Sequence, residues 1–499
     1  MKERMRYVII GLMAWLLLYG CIKDESSGFR TEGSPITITT EDTVYYQDFG
    51  TSVLIDPEVT QSQPDLPLVY EWKFIATDGG ASSDSLRLIG TDKVLDYKFP
   101  RSGIFRVRLR VENQYGSSFK FFEVHVQAPF EQGILVLSND QSDVGRLSFL
   151  RLKEEDEVLS KKESDFNLNA FKQSNPGVTL HGLRDAIISY ISQVSQSETG
   201  SGLVVSSETD QVLYCLNAQN FLIENQVDVR AYCPEMYPTT LFGSDYAGIS
   251  EVLFASNDVD GNPDDIGVFE VEGFIARPRP AAYNKFDKAI LGIMVIEGWS
   301  ILNYVACLVD NTHSEVHSME NGSVGKWNAG DRFTGEYIVN VSFLGTSGCM
   351  VFITQDKNDP SKIRIHKTID DQLEFESGIY EYTLAKEMTL THECQMCSND
   401  KYKHIYYYKD NKLYRWVYMA NEPKLPEKPD FEFADENDEI TCIACSPNEE
   451  HIYVCVYNPN ATTELKGRLL ILNADTLEVE KEYKGISDKA LKVMWKVSV

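Results

Sequence analysis

The stretch Cys394-Gln395-Met396-Cys397-Ser398, with His404-Ile405-Tyr406 after it, recurs as Cys442-Ile443-Ala444-Cys445-Ser446, with His451-Ile452-Tyr453 after it. The first cysteines of the two copies are 48 positions apart (442 − 394), and a polar turn separates the halves of each copy. Self-similarity at about 40–50 residues is typical of propeller blades, each of which contains four short strands. The apolar runs around both copies are short and bounded by turns, as in strands. The repeat therefore predicts a β-propeller.

Paired Cys-x-x-Cys motifs are also the usual signature of a zinc site. In an extended strand, however, residues i and i+3 point to opposite faces, so the two thiols of each pair would diverge. We therefore interpret these cysteines as small apolar residues of a recurring strand. With ten cysteines in the chain, one of them assigned below to a lipid, we expect few disulfides or none.

The N-terminus has the pattern of an export signal. Lys2, Arg4 and Arg6 precede the apolar run 7–18, which is short for a membrane span. The segment ends Leu18-Tyr19-Gly20-Cys21, which resembles the lipobox of bacterial lipoproteins. The resemblance implies that residues 1–20 are removed and that Cys21 is acylated. Lys23-Asp24-Glu25 then resembles the signal that sends Bacteroidetes lipoproteins to the outer face of the outer membrane, and residues 21–33 read as a flexible tether.

Residues 34–128 predict an Ig-like sandwich, because short alternating strands are separated by Asp, Gly and Pro turns. The run 105–111 alternates Phe, Val and Leu with Arg, which indicates one dry and one wet face. The strand Tyr70-Glu71-Trp72-Lys73-Phe74 and the run 97–113 resemble the PKD (polycystic-kidney-disease) domain family. In that family Trp72 would be a core residue, and such modules act mostly as spacers.

Residues 129–499 are the predicted propeller, for which we expect seven blades at about 45–55 residues each. No strand can be placed with assurance between Lys153 and Leu180. The run 493–497 predicts a closing strand that pairs within the first or the last blade.

Acidic, amide-rich loops join apolar strands at 138–143, 256–265, 355–360 and 458–460. If each loop occupies the same place in its blade, all four emerge on one rim. The second loop offers a candidate calcium site at Asp258, Asp260, Asn262, Asp264 and Asp265, although it lacks the spacing of an EF-hand. The alternative is a hairpin loop in which these side chains close turns.

Candidate ligand-binding residues are Trp299 and Trp327, which lie in Gly-flanked turns where an aromatic ring could stack on a sugar or hold a peptide side chain. The alternative is that each ring fills a gap between blades. His313 and His317 would align only on a helix, so a metal there is not expected. Motifs of common hydrolases and nucleotide-binding enzymes do not occur. The net charge of −28 argues against nucleic-acid binding.

Together these features resemble the PKD-like family lipoproteins of Bacteroidetes. The resemblance implies a surface-exposed outer-membrane lipoprotein, associated with SusC/SusD-type importers, that binds an oligosaccharide or peptide. We expect a non-catalytic binding or scaffold component that needs no cofactor, with calcium as a possible exception. A propeller-based polysaccharide hydrolase or lyase and a ligand-free structural subunit of the importer are the alternatives.

Overall fold

The computed structural model describes residues 33–76, 86–100, 102–189, 202–231, 237–246, 249–257, 266–272, 275–278, 288–295, 302–320, 323–326, 329–344, 349–369, 375–392, 394–421 and 423–497. The chain divides into two compact units between Gln127 and Ala128. Among the described residues, no helix is long and apolar enough to cross a membrane.

The first unit contains nine strands. They are β1 (Ile36–Thr39), β2 (Val44–Asp48), β3 (Val53–Ile55), β4 (Glu58–Gln61), β5 (Val69–Ala76), β6 (Arg87–Gly90), β7 (Leu95–Tyr97), β8 (Gly103–Asn113) and β9 (Gly116–Gln127). They form a five-stranded sheet in the order β2-β9-β8-β5-β6 and two small sheets, β1-β4 and β3-β7. The pairing of β2 with β9 is parallel, and the other pairings are antiparallel.

The core of this unit is built by alternation along its strands. In β8, Phe105, Val107 and Leu109 are buried, whereas the intervening arginines are exposed or half-buried, as predicted. Trp72 has no exposed surface, and its Nε1–H donates to the carbonyl oxygen of Asp92 at 2.8 Å. The expectation that Trp72 belongs to the core is therefore confirmed.

The second unit begins with β10 (Gly133–Asn139), β11 (Val144–Arg151), β12 (Phe166–Asn167), the short helix α1 (Ala170–Ser174) and β13 (Leu180–His181). Two 3-10 turns, Glu155–Leu159 and Glu163–Asp165, lie between β11 and β12. The region 153–180, where no strand could be placed from the sequence, thus contains two 3-10 turns and the helix α1, and its two strands have two residues each.

The strands that follow are β14 (Leu183–Ser189), β15 (Gly202–Ser207), β16 (Val212–Asn217), β17 (Ile223–Asp228), β18 (Tyr237–Tyr246), β19 (Ile249–Asn257), β20 (Ile266–Glu272), β21 (Ile275–Pro278), β22 (Lys288–Val295), β23 (Leu302–Asp310), β24 (Glu315–Glu320) and β25 (Ser323–Lys326). One 3-10 turn, Val229–Ala231, follows β17.

The last third of the chain contains β26 (Glu336–Leu344), β27 (Cys349–Asp356), β28 (Lys362–Lys367), β29 (Tyr380–Thr383), β30 (Met396–Asn399), β31 (His404–Lys409), β32 (Lys412–Val417), β33 (Phe431–Glu432), β34 (Glu439–Cys445), β35 (His451–Tyr457), β36 (Gly467–Asn473), β37 (Val479–Ser487) and β38 (Lys489–Lys496).

These strands form successive antiparallel sheets. In the described residues they are, in chain order, β38-β10-β11-β12 with β13 beside β11, then β14–β17, β18–β21, β22–β25, β26–β29, β30–β33 and β34–β37. We refer to them as the first to the seventh sheet, and to their strands by position from the inside outwards. From the second sheet onwards, each sheet uses four consecutive strands.

The ring closes through the C-terminal strand. β38 pairs with β10 from Gly133↔Lys496 to Asn139↔Lys489, and so becomes the innermost strand of the first sheet. β38 also contacts β14 of the second sheet and β34 of the seventh. The sheets between them contact one another in turn through their innermost strands, except that the third and fourth sheets meet through β18 and β23. The second unit is therefore a β-propeller, and the predicted closing strand is confirmed.

Candidate functional site

The residues predicted from the sequence to form sites lie outside the described residues. They are Cys21, Trp299 and Trp327, and the calcium candidates Asp258, Asp260, Asn262, Asp264 and Asp265. The strands that flank the calcium candidates, β19 and β20, are the second and third strands of the third sheet.

Three of the acidic loops lie within the described residues, and they occupy the same place in their sheets. Each joins a second strand to a third strand: β10 to β11, β27 to β28 and β35 to β36. Equivalent connections of a propeller emerge on the same face, so these loops share one rim. We call this face the turn face.

Side chains at the end of the second strand close these turns. Asp140 Oδ1 accepts from the backbone N–H groups of Ser142 at 2.7 Å and Val144 at 2.9 Å. Asp356 Oδ1 accepts from the N–H groups of Asn358 and Asp359, and these hydrogen bonds lower the pKa of Asp356. In these loops the acidic residues thus serve turn formation.

An arginine–carboxylate pair recurs beneath the turn face in three sheets. The arginine lies on the third strand and pairs with a residue of the second strand, which in turn pairs with a residue of the first strand. The acid lies two residues before that residue of the first strand. The pairs are Arg146–Asp488 at 3.0 Å, Arg364–Glu336 at 3.0 Å and Arg468–Asp438 at 2.7 Å. Their registers are equivalent, since these arginines pair with Ser138, Thr354 and Val456, which in turn pair with Ala490, Ile338 and Ile440.

The pair in the fifth sheet extends into a buried network. Glu336 Oε2 lies 2.8 Å from Nε2 of His366, whose side chain has no exposed surface. Nδ1 of His366 lies 3.2 Å from Nε of Arg332, which can only donate, so the proton of a neutral His366 is on Nε2 and points at Glu336. Burial raises the pKa of Glu336, but hydrogen bonds from His366 and Thr354 and the charge of Arg364 outweigh it and lower that pKa overall. Because His366 is fully enclosed, this network stabilises the sheet and does not face a ligand.

A cleft of about 560 Å³ opens to solvent on the turn face of the fifth sheet. One wall is formed by Tyr337 and Val339 of β26, together with Gln355 of β27. The opposite wall is the connection 384–392, which leads from β29 to β30 and includes Met388 and His392. We call this space the Tyr337 cleft. Its volume lies within the range of about 300–1,000 Å³ that is usual for ligand sites.

Hydrogen bonds fix the far wall of the Tyr337 cleft. The side-chain amide of Asn340, 2% exposed, donates to the carbonyl oxygens of Thr391 at 3.4 Å and Cys394 at 3.1 Å. At the other end, the N–H of Leu384 donates to the carbonyl oxygen of Ser361 at 2.8 Å. The wall is therefore formed before any ligand arrives, which lowers the entropic cost of binding.

This cleft was not predicted from the sequence. Its lining comes from three segments, near 337, 355–361 and 384–392, and none of them carries a recognisable motif. The only relevant signal was the acidic loop 355–360, whose residues Gln355 and Pro360 lie at the edge of the cleft.

The two cysteines of each Cys-x-x-Cys pair pack in different places, as predicted. Cys442 lies in the apolar cluster between the seventh and first sheets, whereas Cys445 packs with residues between the sixth and seventh. Cys394 and Cys397 are divided in the same way. A hydrogen bond with Cys397 and then burial raise the pKa of Cys445, so its thiol is protonated. Apart from Cys349, the described cysteines are free thiols, and the arrangement of Cys394, Cys397, Cys442 and Cys445 does not fit a four-cysteine zinc site.

Comparison with known proteins gave no match to a protein-family model and none to a curated protein. Among solved structures, a quinonprotein alcohol dehydrogenase-like protein from Bacteroides thetaiotaomicron is 14% identical, with a TM-score of 0.42 over 92% of this chain and 97% of that one. AztD from Citrobacter koseri, in its apo form, is 11% identical, with a TM-score of 0.37 over 87% of this chain and 100% of that one. Dihydro-heme d1 dehydrogenase NirN is 10% identical, with a TM-score of 0.39 over 74% and 75%. Similarity this distant carries no information about ligand or activity, and the propeller assignment rests on the strand pairing.

Proposed function

We propose that the protein is a surface-exposed, lipid-anchored binding module that captures an oligosaccharide or peptide beside a SusC/SusD-type importer. In this proposal Cys21 carries the lipid, the first unit is an Ig-like, PKD-like spacer, and the second unit is a seven-bladed propeller. The module is non-catalytic and holds the ligand near the transporter. The lipid anchor supplies a high effective concentration at the membrane.

The Tyr337 cleft is the observation that carries the proposal. It combines an aromatic ring, a thioether, an amide and an imidazole from Tyr337, Met388, Gln355 and His392. Aromatic faces suit the apolar faces of sugar rings and apolar peptide side chains, while amides and imidazoles bind hydroxyl and peptide groups.

The charge of the cleft also favours a neutral ligand. The chain as a whole has a net charge of −28. The cleft, in contrast, is lined by one lysine, Lys386, and one glutamate, Glu387, whose charges balance. An uncharged oligosaccharide or a peptide without net charge would therefore meet little electrostatic opposition there.

A binding panel tests this function. The purified chain is applied to an array of oligosaccharides and peptides, and the strongest ligands are titrated by calorimetry. Tyr337→Ala is expected to weaken binding by about 5- to 30-fold, since a buried aromatic contact contributes on the order of 1–2 kcal/mol. Tyr46→Ala is the matched control, because Tyr46 is 67% exposed and lies in the first unit. Trp299→Ala and Trp327→Ala test the residues selected from the sequence.

Three outcomes would contradict the proposal. Turnover of a panel member, abolished by one carboxylate substitution, would identify a hydrolase or lyase. Co-purification with an importer but no binding to any panel member would identify a structural subunit. Binding that is equal in Tyr337→Ala and Tyr46→Ala would exclude the Tyr337 cleft as the ligand site.

A further inference from the structure

The hairpin of β23 and β24 in the fourth sheet brings together three side chains that bind metals. Asp310 ends β23, Glu315 begins β24 opposite it in register, and His317 follows two residues later on the same face. One donor atom from each side chain lies within 4.8 Å of the other two. Asp310 and His317 are 4% and 6% exposed, and the Glu315 side chain is 30% exposed.

The turn that carries this group is held in place by the fifth sheet. The side-chain amide of Asn311 exchanges hydrogen bonds with the backbone of Ile338, at 2.6 and 3.1 Å. Ser314 Oγ donates to the carbonyl oxygen of Glu336 at 2.9 Å, and Nζ of Lys357 donates to Ser314 Oγ at 2.8 Å. The positions of Asp310 and Glu315 at the two ends of the turn are therefore fixed.

His313 orients the carboxylate of Asp310. The backbone N–H of His313 donates to Asp310 Oδ1 at 3.0 Å, and its ring Nδ1 lies 2.7 Å from Oδ2. An ionised carboxylate only accepts hydrogen bonds, so Nδ1 carries the proton. Each oxygen of Asp310 keeps further lone pairs, and partners of this kind commonly fix the orientation of metal-binding side chains.

Comparison with the sister sheets shows what is unusual here. His317 pairs with Leu308, and this is the register position held by Arg146, Arg364 and Arg468 in the three sheets with an arginine–carboxylate pair. Glu315 stands where two of those sheets have a lysine, Lys362 or Lys466. The fourth sheet thus has a carboxylate and an imidazole where two of its sisters have an ammonium and a guanidinium group.

We infer that Asp310, Glu315 and His317 bind a divalent metal ion such as Zn²⁺. The positive charge of this ion takes the place of the guanidinium group in the sister sheets. Imidazole and carboxylate ligands suit Zn²⁺, and three protein ligands leave a fourth position for water. Two ligand atoms that each lie about 2.1 Å from a tetrahedral ion are about 3.4 Å apart. Side-chain rotations that move the donor atoms by about 1 Å would therefore complete the site. The inference does not depend on the proposed function.

Titration of the tag-free chain with Zn²⁺ and with Co²⁺ tests the inference. Calorimetry is expected to give one equivalent of Zn²⁺, and Co²⁺ is expected to produce a visible d–d absorption band that Zn²⁺ removes. Ca²⁺ should not compete, because it prefers an all-oxygen shell. Glu315→Gln and His317→Gln are each expected to weaken binding by about 100-fold, and His313→Ala by about tenfold.

His181→Gln is the matched control. His181 also faces an aspartate, with Nδ1 3.3 Å from Oδ1 of Asp210, and its variant should bind both ions like the unmodified chain. No stoichiometric binding, or equal binding by the Glu315→Gln and His181→Gln chains, would overturn the inference. Should His317→Gln fail to fold, Glu315→Gln and His313→Ala decide the matter, since these side chains are 30% and 68% exposed.

Discussion

Lys496 is the last residue of β38, and none of its surface is exposed. Its Nζ donates to the carbonyl oxygen of Glu131 at 2.6 Å. Burial lowers the pKa of Lys496 to about 7, although the charge of Glu131 opposes the shift. A lysine in the closing strand would be read from the sequence as exposed, because local alternation does not reveal which strand covers it.

Lys496 should make the stability depend on pH above neutrality. An unfolded lysine has a pKa of about 10.4, so the unfolded chain binds the extra proton between about pH 7 and 10.4. Above pH ~10.4 Lys496 is neutral in both states, so its burial carries no ionisation cost. As the pH falls from ~10.4 towards about 7, the free energy of unfolding decreases. Lys496→Met should raise the free energy of unfolding by about 1 kcal/mol or more near neutral pH, with a gain that shrinks as the pH rises.

Urea unfolding at about pH 7 and about pH 9.5 checks this prediction. Lys489→Met, on the same strand but with a 50% exposed side chain, is the control. A pH dependence that is the same for both variants would show that Lys496 does not titrate in this range.

The arginine–carboxylate pairs yield a second prediction at this scale. Arg364 lies within 3.3 Å of carboxylate oxygens from Glu336, Asp356 and Glu381. Arg364→Met would leave the buried Glu336 without its main countercharge, at a cost of about 3 kcal/mol in unfolding free energy. Arg230→Met removes an exposed pair with Asp228 and should lower the unfolding free energy far less, because solvent screens that pair.

A double variant separates charge from packing. Glu336→Gln in the Arg364→Met background should recover part of the loss, because the unpaired charge is removed. Equal costs for Arg364→Met and Arg230→Met in denaturant unfolding would show that the buried pair is energetically unimportant.

The closing strand β38 is the element on which the ring depends. Its pairing covers the edge of β10, whose seven residues are all buried. Val493 is 3% exposed and packs in the apolar cluster shared by the first and seventh sheets. Both the existence of this strand and its role were predicted, because an unpaired edge in a propeller is unfavourable.

Substitutions of buried residues in β38 should therefore strongly lower the free energy of unfolding. Val493→Ala should lower the unfolding free energy by about 1–3 kcal/mol through the cavity it leaves. Val493→Asp should lower it by more than about 3 kcal/mol, since a charge is buried without a partner. Val479→Asp, at a 45% exposed position of β37, should change it by less than about 0.5 kcal/mol. Thermal unfolding followed by circular dichroism would disprove this role if all three variants melted together.

For the molecule as a whole, the proposed lipid anchor at Cys21 is the feature to test. Expressed in a bacterium with a lipoprotein pathway, the full chain should fractionate with membranes and have a mature N-terminal mass that includes acyl groups. Cys21→Ser should release it from the membrane fraction, whereas Cys349→Ser should leave it bound. An unacylated mature protein, or one that retains residues 1–20, would contradict the anchor.

The propeller architecture of the second unit was predictable from local patterns in the chain. The repeated Cys-x-x-Cys segments, the turn-bounded apolar runs and the acidic loops are local patterns, and a period of two residues is enough to define strands and their faces. From these patterns followed the propeller, the closing strand and the divergence of the paired thiols.

The contacts between side chains, in contrast, could be identified only from the folded chain. Arg146 faces Asp488, and Gln355 shares a cleft with His392, because strand register brings together residues that are distant in sequence. His313 and His317 did not indicate a site, since their spacing suits one face of a helix. In a hairpin, the turn instead folds His313 onto Asp310, and the strand places His317 beside Glu315. Such juxtapositions depend on cross-strand pairing, which no local pattern encodes.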